Sequence, residues 1–92
     1  MDRGPRRLDK RPAARQETGM DDILDATGLL CPLPVLKARK ALLALPPGAL
    51  LRIRTSDPVA VIDIPHFCAE AGHLLLSATD EGRTHLFEIR RG

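Results

Sequence analysis

Aromatic side chains are nearly missing from this 92-residue chain, which has two Phe, no Tyr and no Trp. Proteins that hold single-stranded nucleic acid stack bases on aromatic rings, so this scarcity argues against that function. The core must instead be assembled from Leu, Ile, Val and Ala, which fill a small interior without needing polar partners. No apolar run approaches the roughly 20 residues that a membrane-spanning helix needs. Arg6-Arg7 is followed by no apolar segment, so neither a Sec nor a twin-Arg signal is read. Cysteine is scarce as well, at two residues. With no secretory signal, this points to a reducing compartment without structural disulfides, and the expected location is the cytoplasm.

A chain of 92 residues supports one domain at most. Its net charge of +2 is unevenly spread. Residues 1–19 carry Arg3, Arg6, Arg7, Lys10, Arg11 and Arg15 against Asp2, Asp9 and Glu17, which leaves that stretch at +3 and the remainder at −1. A near-neutral folded part weakens any nucleic-acid reading, and no direct nucleic-acid partner is expected. Leu8 is the one large aliphatic residue of residues 1–19. Such a segment buries too little apolar surface to offset its ordering entropy, so residues 1–20 are expected to be a disordered basic tail and 21–92 the domain. A solvated tail, or a start at Met20, is the plain reading of the tail. An arm touching nucleic acid or an acidic partner is the other.

From residue 21 the texture changes. Ile23-Leu24-Asp25-Ala26 reads as a short strand entering the Thr27-Gly28 turn. Beyond Pro32 and Pro34, Val35, Ala38, Leu42 and Leu45 recur as one apolar stripe of a helix that Pro46-Pro47-Gly48 ends. Residues 49–55 alternate as a strand, with Leu51 and Ile53 on one side and Arg52 and Arg54 on the other. Ser56-Asp57-Pro58 is a helix start, with Asp57 as capping side chain. Val61, Ile64, Cys68 and Ala71 form its expected stripe, broken or kinked at Pro65 and capped at Gly72. Residues 73–79 and 84–90 then form a hairpin across Asp80-Glu81-Gly82-Arg83. The fold class is therefore α/β (α+β): a two-layer β-α-β-α-β-β sandwich, with two helices on one face of a four-stranded mixed sheet.

Cys31-Pro32-Leu33-Pro34 is the sharpest chemical feature. Prolines suit a helix's first turn, and the free N–H groups and dipole there favour a thiolate. Lys37, Arg39 and Lys40 add positive potential, so Cys31 is expected to be exposed and unusually acidic. The plain alternative is a buried spacer, since cysteine is among the most buried residue types. Cys68 lies on the second helix's stripe and reads as core. His66, Cys68 and His73 are badly spaced for a metal, and no metal or cofactor is called for. Asp25, like Asp57, stands at a strand end where carboxylates cap turns.

These residues together resemble a known family. Leu24-Asp25-Ala26-Thr27-Gly28-Leu29-Leu30-Cys31-Pro32-Leu33-Pro34 is similar to the signature of the TusA/SirA-like sulfur carriers. Arg39-Lys40, Pro47-Gly48, Asp57-Pro58, Asp63-Ile64-Pro65-His66-Phe67-Cys68 and Phe87-Glu88-Ile89-Arg90 match it in order, so the resemblance covers residues 22–92. It implies the same two-layer sandwich and a sulfurtransferase that needs no cofactor. Cys31 would accept sulfane sulfur as a persulfide from a cysteine desulfurase or a rhodanese-like donor protein. It would pass the sulfur to an acceptor protein in tRNA thiolation, molybdenum-cofactor metabolism or sulfur oxidation. The resemblance also implies that Arg39, Lys40 and Asp57 lie near the partner-docking surface. Two other classes stand beside this one: a non-catalytic regulatory or interaction domain of the same fold, and a nucleic-acid-associated protein acting through the basic tail.

Overall fold

The computed structural model describes residues 22–92, and the expected disorder of residues 1–20 falls outside them. The element order is β1 (Leu24–Ala26), α1 (Leu33–Leu43), β2 (Leu50–Thr55), α2 (Ala60–Ala71), β3 (Leu74–Asp80) and β4 (His85–Arg90). The strands lie in the order β1-β2-β4-β3. β1 runs parallel to β2, and β4 pairs antiparallel with both β2 and β3. This is the mixed sheet that the sequence pattern implied, and the β-α-β crossover puts β1 and β2 side by side.

Alternation along the strands decides which face is covered. Leu51 and Ile53 of β2 stand opposite Ile89 and Phe87 of β4, and all four are buried under the helices. The intervening residues form the solvated face, where Arg52 pairs with Glu88 at 3.0 Å. There too, Nε and Nη2 of Arg54 donate to the two carboxylate oxygens of Glu81, at 2.8 and 3.0 Å. That bidentate bond, together with one from the Thr84 hydroxyl, holds the Glu81 carboxyl down at about 2. Pairs this exposed add little to stability.

The helix α1 buries Pro34, Ala38 and Leu42, one residue per turn, while Val35 and Leu45 pack at the edge of the core. The helix α2 departs from the expected stripe. Its buried residues are Ala60, Ile64, Phe67 and Cys68, whereas Val61 is 40% exposed and Ala71 is also exposed. The face is rotated because Phe67, the larger apolar residue, turns inward and takes Ala60 and Ile64 with it at helical spacing. Nor does Pro65 break the helix, which runs through it for 12 residues. The one backbone bond that Pro65 cannot make would have gone to the carbonyl of exposed Val61, where water can serve instead. Gly72 ends α2 in the left-handed conformation at φ 81°, and the His73 N–H returns to the Cys68 carbonyl at 2.9 Å.

The inward face of α1 is directly testable. Leu42→Ala should destabilise the chain by about 3 kcal/mol in urea unfolding, because Leu42 is fully buried. Leu43→Ala, at a position 68% exposed, should stay within about 0.5 kcal/mol.

Candidate functional site

Parallel strands deliver their following loops to one end of a sheet, and in α/β folds that end is where sites assemble. The loop from β1 to α1 and the loop from β2 to α2 therefore meet. Two side chains of the second loop stitch them together. The Ser56 hydroxyl accepts the Gly28 N–H at 2.7 Å, and Asp57 Oδ2 accepts the Cys31 N–H at 2.6 Å. Gly28 has φ 81°, a left-handed turn that glycine adopts without strain.

Asp57 is 6% exposed and uses both oxygens, since Oδ1 accepts the Val59 N–H at 3.0 Å. It is the capping residue expected from sequence, but the turn it caps is a tight one. Ala60 and Val61 donate to Asp57 and Pro58 carbonyls at 3.0 and 3.2 Å, and α2 proper begins at Ala60. One carboxylate thus fixes the start of α2 and the backbone of Cys31 together.

Cys31 is exposed and free, directly ahead of α1, and the Cys31–Pro32 peptide is cis. Cys68 is free and buried. The expectation of an unusually acidic Cys31 is overturned. A hydrogen bond to the Asp63 carboxylate, aided by some desolvation and by the charges of Asp63 and Asp57, pushes the thiol above its ordinary value. The helix start cannot offset this. Pro32 and Pro34 have no N–H to offer, and the Leu33 N–H is taken by the Leu30 carbonyl at 2.8 Å. Burial pushes the Cys68 thiol up as well.

The remaining candidates divide. Pro34 is buried on the inward face of α1 and Pro32 is exposed at its cap. The Asp25 carboxylate turns back on Thr27, accepting from its N–H and its hydroxyl, and these bonds lower its pKa. Lys37 reaches the Asp25 carbonyl, so its ammonium ties α1 to β1. Arg39 lies further along α1, over the Phe67 ring at 5.7 Å, beside a hollow of about 300 Å³ that His73 and Arg91 also line. Lys40 is exposed in the last turn of α1. Neither Arg39 nor Lys40 acts on the Cys31 thiol, whose charged neighbours are both acidic.

His66 pairs with Glu70 at 3.4 Å, His73 accepts the Gly92 N–H at 3.0 Å, and Cys68 is in the core. Among the described residues no three metal-ligating side chains gather. Nor is any described helix long and apolar enough to cross a membrane.

The model of the family described as "Sulfurtransferase TusA" matches residues 22–91. The chain belongs to the TusA family. It is 44% identical over 72 residues to the sulfur carrier protein TusA of Pseudomonas paraeruginosa, covering 78% of this chain and 91% of that protein. The sulfur carrier protein TusA of Pseudomonas fluorescens is 41% identical over 76 residues, covering 83% and 92%. Among solved structures, the SirA-like protein of Desulfitobacterium hafniense superposes with a TM-score of 0.67. At 22% identity, covering 76% of this chain and 96% of that one, it shows a shared fold. The match to the TusA model takes in both loops of the site and all six elements.

Sequence reasoning about chemistry passed over two participants. Ser56 sat inside a helix-start motif and was absorbed by it. Asp63, in the first turn of α2, reads as an ordinary complement to the helix dipole. The available signal was topological: consecutive β-α units on adjacent parallel strands bring both helix starts together. Exposed leucines at 30 and 33, 68% and 48% accessible, flank the thiol, and Ile62 beside Asp63 is 71% accessible.

In this TusA-family chain iodoacetamide should label Cys31 in the native state and Cys68 only after unfolding. The pH midpoint for Cys31 alkylation should lie above that of an unperturbed thiol, because its pKa is raised. Labelling of native Cys68 first, or a Cys31 midpoint below the ordinary value, would contradict the geometry.

Proposed function

We propose that this chain carries sulfur as a persulfide on Cys31, acting as a sulfurtransferase without a cofactor. The donor is a cysteine desulfurase or a rhodanese-like protein. The acceptor is a protein of tRNA thiolation, molybdenum-cofactor metabolism or sulfur oxidation, with the exchange taking place in the cytoplasm. The observation that carries this reading is the placement of the two thiols. One is exposed at the loop end of parallel strands, and the other is sealed in the core. A carrier needs no pocket of its own, because its thiol must enter the pocket of another protein.

Attack of Cys31 on a donor persulfide is a thiol exchange. Its rate depends on access and on the nucleophilicity of the sulfur, which rises with thiol pKa once the proton has gone. The exposed leucines at 30 and 33, with Ile62, supply apolar surface of the kind that marks a protein interface. Family membership and the relatives' names support the carrier role.

Incubation with a cysteine desulfurase and L-cysteine should raise the intact mass by one sulfur atom. Cys31→Ser should abolish the gain while the variant melts like the native chain, and Cys68→Ala should retain it. Loading that persists in Cys31→Ser would remove the thiol from its role. Partner binding and biological function that survive Cys31→Ser would favour the non-catalytic interaction domain instead.

Arg39 and Lys40 are proposed as docking cations for an acidic partner surface. Charge reversal at both should slow association and flatten its dependence on salt. The stability cost should stay near 1 kcal/mol, chiefly from the lost stacking of Arg39 on Phe67. Unaltered transfer rates in the Arg39→Glu, Lys40→Glu double variant would take this surface out of the mechanism.

A further inference from the structure

The hollow of about 300 Å³ beside Arg39 gathers basic side chains from three separate parts of the chain: Arg39 on α1, His73 between α2 and β3, and Arg91 just after β4. It lies at the far end of the sheet from Cys31. The Arg91 N–H donates to the Ala49 carbonyl at 2.8 Å and its carbonyl accepts the Gly48 N–H at 2.9 Å, so Arg91 is pinned where β2 begins. The Cys31 loop meets the residues that follow β2, and the length of that strand separates the two places. One side of the hollow is the Phe67 ring. The Arg39 guanidinium carbon lies 5.7 Å from the centre of that ring, and the centre of the His73 ring lies 5.6 Å from it. None of the described residues lining the hollow is Asp or Glu. Among the described residues neither arginine has a carboxylate within ion-pair distance, that of Gly92 included. The Nε of Arg91 is buried and has no hydrogen-bond partner among them either.

We propose that this hollow is a binding site for a small tetrahedral oxyanion of the phosphate type, held by Arg39, His73 and Arg91. The site is independent of the persulfide reading of Cys31, and it goes beyond the docking part given to Arg39. A buried donor left without an acceptor is costly, more so when it carries charge, and an anion in the hollow supplies the acceptor that Arg91 lacks. The C-terminal end of α2 favours a cation nearby, yet none of its carbonyls reaches that Nε.

The donor set selects the shape of the anion. Each guanidinium presents paired N–H groups in a planar fork that fits oxyanions. His73 adds an uncharged donor, because its Nδ1 accepts the Gly92 N–H at 3.0 Å and the proton of the neutral ring therefore sits on Nε2. All three side chains donate and none has a free acceptor. They come from three different elements, so one group satisfies them together only if its oxygens point in three directions. A tetrahedral anion has such oxygens, and a carboxylate, with two in one plane, does not. The backbone ties on Arg91 and the stacking of Arg39 on Phe67 hold both cations in place before any ligand arrives.

The test titrates inorganic phosphate into the full chain at constant ionic strength, with NMR following the Nε–H signals of Arg39 and Arg91 and the His73 ring. These signals should shift and saturate together, while the Cys31 amide at the far end of the sheet stays unmoved. Arg39→Gln should weaken phosphate binding at least about 10-fold, the worth of one charge-assisted hydrogen bond. Arg91→Lys, which keeps the charge and loses the fork, should do the same. Lys40→Gln removes an equal charge from the next residue, outside the hollow, and should leave the affinity nearly unchanged. Acetate should bind at least about 10-fold more weakly than phosphate, for want of a third bonding direction. Shifts that never saturate would mean an adventitious ion only and overturn the proposal. So would undiminished binding in Arg39→Gln or Arg91→Lys, or a loss in Lys40→Gln as large as in Arg39→Gln, since each would reduce the effect to general charge. Acetate binding as tightly as phosphate would give the hollow to a carboxylate, such as that of a docked partner, and overturn it too. Arg39 is exposed on α1, so Arg39→Gln decides the matter even if Arg91→Lys fails to fold.

Discussion

The geometry of this site depends on a single buried carboxylate. Asp57 joins two stretches of chain that are 26 residues apart, accepting the Cys31 N–H on one oxygen and the Val59 N–H on the other. Bonds from a charged acceptor to backbone N–H groups are stronger than neutral ones, and leaving such buried donors unpaired costs about 1–3 kcal/mol. With this tie in place the start of α2 lies against the turn that carries the thiol. Ser56 repeats the stitch at Gly28, one residue earlier in its own loop and three earlier in the other. The exposed sulfur is therefore mounted on a rigid base although it sits in a loop. A carrier that must insert its thiol into several different proteins gains from that rigidity, because little order remains to be imposed on docking.

The electrostatics point away from the usual picture of a reactive cysteine. A helix start is often said to make a thiolate, but that requires free N–H groups, and this helix start is built from prolines. The charged groups acting on Cys31 are acidic, and its pKa is raised. Such a thiol is quiet in isolation and more nucleophilic once its proton is removed. Reactivity conditional on a partner would suit the persulfide-carrying role proposed for Cys31.

Much of the fold was legible because its signals are local and redundant. Alternation marked Leu51 and Ile53 as inward, the proline pair after α1 marked its end, and Gly72 marked the end of α2. Cys31 was legible for the same reason, as a cysteine set between a glycine turn and a proline-started helix. What the sequence concealed was tertiary. The stripe of α2 has two candidate faces, and only packing of Phe67 against the sheet selects Ala60, Ile64 and Cys68 over Val61 and Ala71. The effect of Asp63 on a thiol 32 positions earlier requires knowing that the two helix starts share one end of the sheet. Pattern reading placed both helices but did not bring their first turns together.

The hold of Asp57 on the Cys31 backbone is tested by amide hydrogen exchange at Cys31, compared by NMR in native and Asp57→Ala chains. The native Cys31 N–H should exchange far more slowly than an exposed loop amide. In Asp57→Ala that protection should vanish while the β2 and β4 amides remain protected. A native Cys31 amide that exchanges freely, or one that stays protected without Asp57, would show that this carboxylate does not hold the loop.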